Sequence, residues 1–225
     1  MFAEGVENGY FVKRPNGDVW QWDMWQPGMA LVDFTNPEAA AWVESEIVRV
    51  VEEYRLDVLR IDYNIGNGER YHYVNPGERY EYGAVKHCEA VSAMYERLKK
   101  RFPNVIFENC ASGGGRLDLD ILRSFHHSWV SDQQSAPMAQ YITNGLTLVL
   151  PPERVDRLVS GMNCHEYASL DAHIRNAMLG HISLNALNPL GAEDNPQQRE
   201  VIRHALDIYK SFIRPMLPTS HMYHH

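Results

Sequence analysis

Residues 104–116, NVIFENCASGGGR, combine a short apolar run with a polar, glycine-rich end, and this pattern decides how the chain folds. The stretches LDVLRIDYN (56–64) and HHSWVSDQQ (126–134) repeat it. Short apolar runs bounded by turn residues are typical of strands buried in parallel sheets. We therefore predict three strands, over residues 57–63, 104–110 and 126–131.

Between these strands, apolar residues recur with the spacing of helices. Apolar residues three and four apart predict a helix after Thr35, where Pro37 and Glu38 fit a capping box, and a second over residues 85–102. Residues 1–26 read as a loop or a hairpin around the Asn16-Gly17 turn signal. The same patterns predict further helices over 117–123, 171–178 and 200–213, and further strands over 29–34, 146–150 and 181–187.

The alternation of strands and helices indicates an α/β fold with parallel strands and crossover helices. A (β/α)8 barrel and an open doubly wound sheet both satisfy this order. The 225 residues fall a little short of the ~250 that are typical of a barrel. A hydrophobic content of 44% is enough to build a real core and argues against a disordered chain.

The net charge and the composition exclude several classes of binding partner. A net charge of −8 argues against nucleic acid or an anionic membrane surface, and no run of ~18 apolar residues spans a bilayer. The first eleven residues lack a signal-peptide pattern, and three cysteines do not make a disulfide framework. We therefore expect a cytoplasmic protein.

Two carboxylates, Asp62 and Asp132, end two of the predicted strands. In a barrel, all the carboxyl ends of the strands open onto one face, where active sites form. A pair of carboxylates that flanks a bond is what glycoside hydrolysis requires. The competing interpretation is structural, because an aspartate at a strand end also caps helices and closes turns.

The glycine loop between these carboxylates has two interpretations. Three successive glycines, Gly113 to Gly115, can cradle an anion, or they can let a neutral sugar approach the backbone. No Gly-Lys-Ser/Thr and no GxGxxG pattern follows. The clusters His126-His127 and Cys164-His165-Glu166 lack the spacing of metal sites, so we predict no metal.

At these residues the sequence resembles glycoside hydrolase family 36, the α-galactosidases or melibiases. The blocks LVDFTNPEAAAWV, LDVLRIDYN, ENCASGGGRLDLDIL and WVSDQQ carry the resemblance, in the family's order, over residues 9–218. The resemblance implies a TIM-barrel-type (β/α)8 fold. Residues 1–225 would then be a partial catalytic barrel, about strands four to eight, without the family's N-terminal β-sandwich and first strands.

Carried over residue by residue, the resemblance implies a retaining enzyme without a cofactor. The nucleophile falls on Asp62 and the acid/base on Asp132. Arg60 replaces the family's substrate-binding lysine, Gln134 and Ser135 replace a Thr-Asp pair, and no Asp-Asp-Gly-Trp block is present. The remaining positions that match galactose-contacting residues are Asn64, Cys110, Gly113 and Gly114.

The sequence thus predicts hydrolysis of terminal α-galactosides by double displacement, with α-galactoside oligosaccharides as partners. The alternatives are a transglycosylase or another α-glycosidase on the same scaffold, a sugar-binding protein without turnover, and a phosphate-ligand barrel. Five strands do not close a barrel. We therefore expect little activity and a tendency to associate, with homo-oligomers left open. The inner-face residues expected to lack covering neighbours include Val58, Ile61, Val105 and Phe107.

Overall fold

The computed structural model describes residues 2–14, 16–22, 29–64, 80–159, 168–185 and 195–224. Contacts divide the chain into two compact units. Unit 1 comprises Met1–Phe107 and Asp118–Phe125, and unit 2 comprises Glu108–Leu117 and His126–His225. No helix among the described residues is long and apolar enough to cross a membrane.

The elements of unit 1 follow the predicted alternation. In chain order they are α1 (Phe2–Glu7), β1 (Gln21–Trp22), β2 (Met29–Ala30), α2 (Pro37–Tyr54), β3 (Val58–Asp62), α3 (Tyr80–Arg101), the first part of β4 (Ile106–Cys110), and α4 (Leu119–Ser124).

Unit 2 contains the end of β4 and the elements after it. These are β5 (His127–Trp129), α5 (Ala136–Leu146), β6 (Val155–Val159), α6 (Leu170–Ala177), β7 (His181–Leu184) and α7 (Pro196–Ile208), which continues through a π-helical segment (Tyr209–Ile213).

The main sheet has five strands in the order β3-β4-β5-β6-β7. Neighbouring strands from β4 to β7 pair in parallel, with Glu108 opposite His127 and Asp156 opposite His181. Helices α3 to α6 lie in the connections between successive strands. The predicted α/β fold of the (β/α)8 barrel type is confirmed, with five parallel-sheet strands among the described residues.

One predicted strand is wrong, and one strand of the sheet was not predicted. Residues 146–150 are the end of α5 and a turn, in which Leu150 N–H donates to Leu146 O, and not a strand. The strand of this region is β6, which the sequence concealed because Asp156 and Arg157 interrupt its apolar run. Both charged residues are buried, so tertiary context overrides the pattern.

The N-terminal prediction is partly right. The hairpin around Gly17 forms, with Gly17 at a φ of 89° and an antiparallel bridge between Lys13 and Val19. Helix α1 was not predicted. The N-cap of α2 is Asn36, whose side chain accepts from Glu38 N–H, instead of Thr35, whose hydroxyl bonds Asp33.

An apolar core fills unit 1. Strand β3 alternates, with Leu59 and Ile61 packed against this core and Val58 on the opposite, exposed side. The expectation that Val105 and Phe107 lack covering neighbours is wrong, because both are buried in this core. Its other buried members are Phe34, Ala40, Val51, Val91, Met94, Tyr95, Leu98, Ile121 and Phe125.

Candidate active site

Asp62 ends β3 on the face of the strand that the core does not cover. Arg60 lies two residues earlier, so both side chains point to the same side of the strand. Both are exposed, and Asn64, two residues beyond Asp62, is half-buried. Three of the predicted site residues of unit 1 are therefore together at the carboxyl end of one strand.

Tyr63 anchors the chain directly after Asp62. Its hydroxyl lies 3.0 Å from His87 Nε2 on α3, and His87 is fully buried. The His87 ring packs edge-on against Phe34 with a centroid separation of 5.1 Å. This contact ties the end of β3 to the core of unit 1, so the backbone that carries Asp62 is held firmly.

Asp132 lies just beyond β5, and a buried tryptophan orients it. Trp129 Nε1–H donates to Asp132 Oδ1 at 2.9 Å, while the Asp132 side chain stays exposed. An indole N–H is a donor only, so it fixes one carboxyl oxygen as an acceptor. No role was predicted for Trp129, although its spacing of three residues from Asp132 fits a tight turn.

Gln134 fixes the rest of this loop. Its Nε2–H donates to Ser131 O at 2.5 Å, and its Oε1 accepts from Arg157 Nη2 at 3.2 Å. Gln134 and Arg157 are both almost fully buried. Burial lowers the pKa of Arg157 to about 10, against the opposing effect of Asp156. The departure from the family pattern at Gln134 thus has a structural role here, as the anchor of the loop.

The glycine loop packs against the protein's own backbone. Gly113 has a φ of +76°, and a Cβ there would lie 2.7 Å from Asp132 N. A Cβ on Gly114 would lie 2.5 Å from Val130 O. Contact with residues 130–132 therefore accounts for both glycines without an anion, and it sets the position of the Asp132 backbone. Cys110, at the end of β4, is buried and not in a disulfide.

A second group of titratable residues lies deeper in the sheet of unit 2. His127 Nε2 is 3.7 Å from Glu108 Oε2 and 3.6 Å from Asp156 Oδ2, and the His127 and His181 rings stack at 4.4 Å. Burial, followed by the charge of Glu108, raises the pKa of Asp156 to about 7. Burial, followed by His127, lowers the pKa of His181.

Sequence spacing did not reveal this group, because its members come from four different strands.

The predicted site residues fall in both units, with Arg60, Asp62 and Asn64 in unit 1 and Cys110, Gly113, Gly114 and Asp132 in unit 2. Within each unit they collect at the carboxyl ends of strands. The distance between Asp62 and Asp132 stays a prediction.

The part of the chain that carries these residues matches a known protein family. The melibiase family model covers residues 27–217, which include every predicted site residue. The chain belongs to the melibiase family. An α-galactosidase of Escherichia coli is 27% identical to this chain over 227 residues, covering 92% of the chain and 31% of that protein.

Two further comparisons bear on specificity and fold. An α-xylosidase of Emericella nidulans is 31% identical over 160 residues, covering 67% of this chain and 19% of that protein. The chain also superposes on a solved structure, with a TM-score of 0.78 at 20% identity, covering 94% of this chain and 29% of the other. That structure is a variant of the family 36 α-galactosidase AgaA of Geobacillus stearothermophilus in complex with raffinose. The chain spans less than a third of the length of these relatives.

Proposed function

We propose that this chain carries the catalytic pair of an α-galactoside hydrolase that retains anomeric configuration. The observation that carries the proposal is the position of Asp62 and Asp132, two exposed carboxylates at the carboxyl ends of β3 and β5 within the melibiase match. Most isolated aspartates at strand ends are capping or turn residues. Neither of these two is an N-cap of a described helix.

The two carboxylates take different parts in the reaction. The Asp62 carboxylate attacks the anomeric carbon, and Asp132 in its acid form gives its proton to the leaving glycosidic oxygen as the bond breaks. Asp132 then removes a proton from water, which attacks the same carbon and releases Asp62. Because Trp129 N–H donates to Asp132 Oδ1, the transferred proton belongs on the other oxygen.

Arg60, Asn64, Cys110, Gly113 and Gly114 complete the proposal as substrate-binding positions. Arg60 shares the exposed face of β3 with Asp62, where its guanidinium reaches hydroxyls of a sugar seated on the nucleophile. The close packing of the two glycines against residues 130–132 supports a role in holding Asp132 in place. Oligosaccharides that end in an α-galactoside are the proposed substrates.

A covalent label is the sharpest test, because the five described strands do not close a barrel and turnover by the chain alone is expected to be slow. A 5-fluoro-α-galactosyl fluoride slows hydrolysis of the glycosyl-enzyme more than its formation, so the adduct with a carboxylate nucleophile accumulates. We expect one label per chain, located on Asp62 by peptide mass spectrometry. Asp62→Ala abolishes labelling. Asp57→Ala, at the exposed start of the same strand, retains it.

Two outcomes contradict the proposal. Labelling of a different carboxylate would show that Asp62 is not the nucleophile. A folded chain that takes no label would contradict the proposed catalytic pair. Folding of each variant is checked by circular dichroism.

The α-xylosidase relative favours a second candidate, an α-xyloside substrate on the same two carboxylates. The two sugars differ in the hydroxymethyl group and in the orientation of the 4-hydroxyl. Competition between the galactosyl fluoride and its xylosyl counterpart separates them. Faster labelling by the galactosyl reagent supports the α-galactosidase, and faster labelling by the xylosyl reagent supports the alternative.

We also infer a cytoplasmic location and association between copies. Cys88 and Cys110 form no disulfide among the described residues, as is typical of a reducing compartment. Large apolar side chains are exposed at Leu119, Tyr141 and Val149, and such surfaces promote contacts between molecules. Cell fractionation tests the first inference. Size-exclusion chromatography tests the second, with elution at the monomer volume as the contradicting result.

A further inference from the structure

We propose that unit 2 contains a binding site for a divalent transition metal, best fitted by zinc, with His127, Asp156 and His181 as its ligands. One ligand atom from each residue lies within 4.8 Å of the other two. The proposed sugar chemistry needs no metal, so this site is independent of the proposed function.

The strand register brings the three residues together. Asp156 on β6 is directly opposite His181 on β7, and His127 lies on the neighbouring strand β5. His127 Nε2 and Asp156 Oδ2 are 3.6 Å apart. Ligands held at 2.0–2.2 Å in a tetrahedral zinc site are about 3.3–3.6 Å apart, so this pair needs almost no movement to bind the ion.

An unpartnered atom points to the same site independently. Asp156 is 1% exposed, and its Oδ1 has no hydrogen-bond partner among the described residues. The other oxygen, Oδ2, accepts a hydrogen bond from the Ser183 hydroxyl at 2.7 Å. A buried, unsatisfied carboxylate oxygen is costly and calls for an explanation. A metal ion bound to this carboxylate would offset the cost of burying it, and the Ser183 hydroxyl on Oδ2 would orient the ligand.

The donor set selects the kind of metal. Two imidazoles with one carboxylate suit zinc and similar first-row ions, whereas magnesium and calcium prefer sets made of oxygen atoms. Glu108 Oε2 is 3.7 Å from His127 Nε2 and adds a second negative charge beside the site. With Asp156, it balances the two charges of the ion.

The experiment must first remove a competing surface group. His221, His224 and His225 lie close together at the end of the chain and would bind zinc unspecifically. The parent protein for the test therefore carries glutamine at these three positions. After treatment with a chelator, it is titrated with Zn²⁺ by isothermal titration calorimetry, and with Co²⁺ by visible spectroscopy, which reports the coordination geometry.

We expect the parent to bind one Zn²⁺ per chain, to give a visible Co²⁺ spectrum and to unfold at a higher temperature with zinc than without it. Asp156→Asn and His181→Gln should each weaken zinc binding at least about 100-fold, since outer-shell changes alone cost 10–100-fold. The matched control is His204→Gln, an exposed histidine on α7, which should bind as the parent does.

Two results would overturn the proposal. If the parent protein binds no zinc, the cluster is not a metal site and its residues only share protons. If Asp156→Asn and His181→Gln, whose folding in chelator is checked by circular dichroism, bound zinc as tightly as the parent, the ligands would lie elsewhere. His181 is only half-buried, so its variant tests a second ligand without removing the buried carboxylate.

Discussion

Unit 1 and unit 2 differ in what they bury. Among the described residues, unit 1 buries a large apolar cluster and a small one of Val12 and Leu31, and its only buried histidine or charged side chain is His87. Unit 2 has a smaller apolar cluster and buries charged or titratable side chains, namely Glu108, His127, Asp156 and Arg157 in its strands and His173 on α6. Buried charges oppose stability unless they are well paired. The difference therefore indicates that unit 1 holds its site residues by packing, whereas unit 2 holds them by polar contacts.

The largest expected effect separates the two carboxylates by their roles. Asp62→Ala should lower the rate with any α-galactoside by at least about 10⁴-fold, with partial recovery in azide as a β-galactosyl azide. Asp132→Ala should cost about 10²–10⁴-fold with poor leaving groups and far less with activated ones, since only poor ones need a proton. The measurement is kcat/KM across a series of aryl galactosides. Equal losses across the series would argue against the acid role of Asp132.

The apolar core of unit 1 gives the next effect. Phe107→Ala should lower the free energy of unfolding by about 3–5 kcal/mol, because Phe107 is fully buried and its removal leaves a cavity. The matched control is Ile106→Ala on the same strand. Ile106 is 37% exposed, so its loss should cost much less. Urea unfolding measures both, and similar losses would contradict the packing account of unit 1.

Much of unit 1 was predictable for the same reason. Helices α2 and α3 and strand β3 show periodic apolar residues, because one side of each faces the core. Strand β6 was not predictable, since its buried Asp156 and Arg157 break that periodicity. Asp62 and Asp132 could be singled out from their strand-end positions. The contacts that hold these strand ends, from Trp129 to Asp132 and from His87 to Tyr63, depend on tertiary geometry that spacing does not reveal.

The glycine loop tests how tightly unit 2 fixes Asp132. Gly113→Ala places a Cβ 2.7 Å from Asp132 N at a positive φ, whereas Gly17→Ala has the same kind of φ with no atom within 4 Å. The Gly113 change should therefore cost about 1–3 kcal/mol more, the usual cost of overpacking. It should also slow turnover of poor leaving groups. Equal losses of stability in thermal unfolding would show that the close approach has no effect.

The smallest effect concerns pH and the buried charge of Asp156. Its pKa is raised from 3.8 to about 7, so the folded state favours the protonated acid. Its contribution to stability is fully present below about pH 4 and is lost as pH rises through about 7. Asp156→Asn, measured in chelator, should change Tm little near pH 4 and raise it by a few degrees, on the order of 1 kcal/mol, at pH 8. A variant whose Tm difference does not grow with pH would contradict this account of unit 2.

The separation of Asp62 and Asp132 in a sugar-bound crystal structure tests the central claim most directly. Crystals of the chain with the galactose mimic 1-deoxygalactonojirimycin should show both carboxyl groups facing the sugar, about 5–5.5 Å apart, as in retaining glycosidases. A separation of about 6.5–9.5 Å would indicate an inverting mechanism. Carboxylates on opposite faces of the sheet, or a mimic bound away from both, would contradict the catalytic pair.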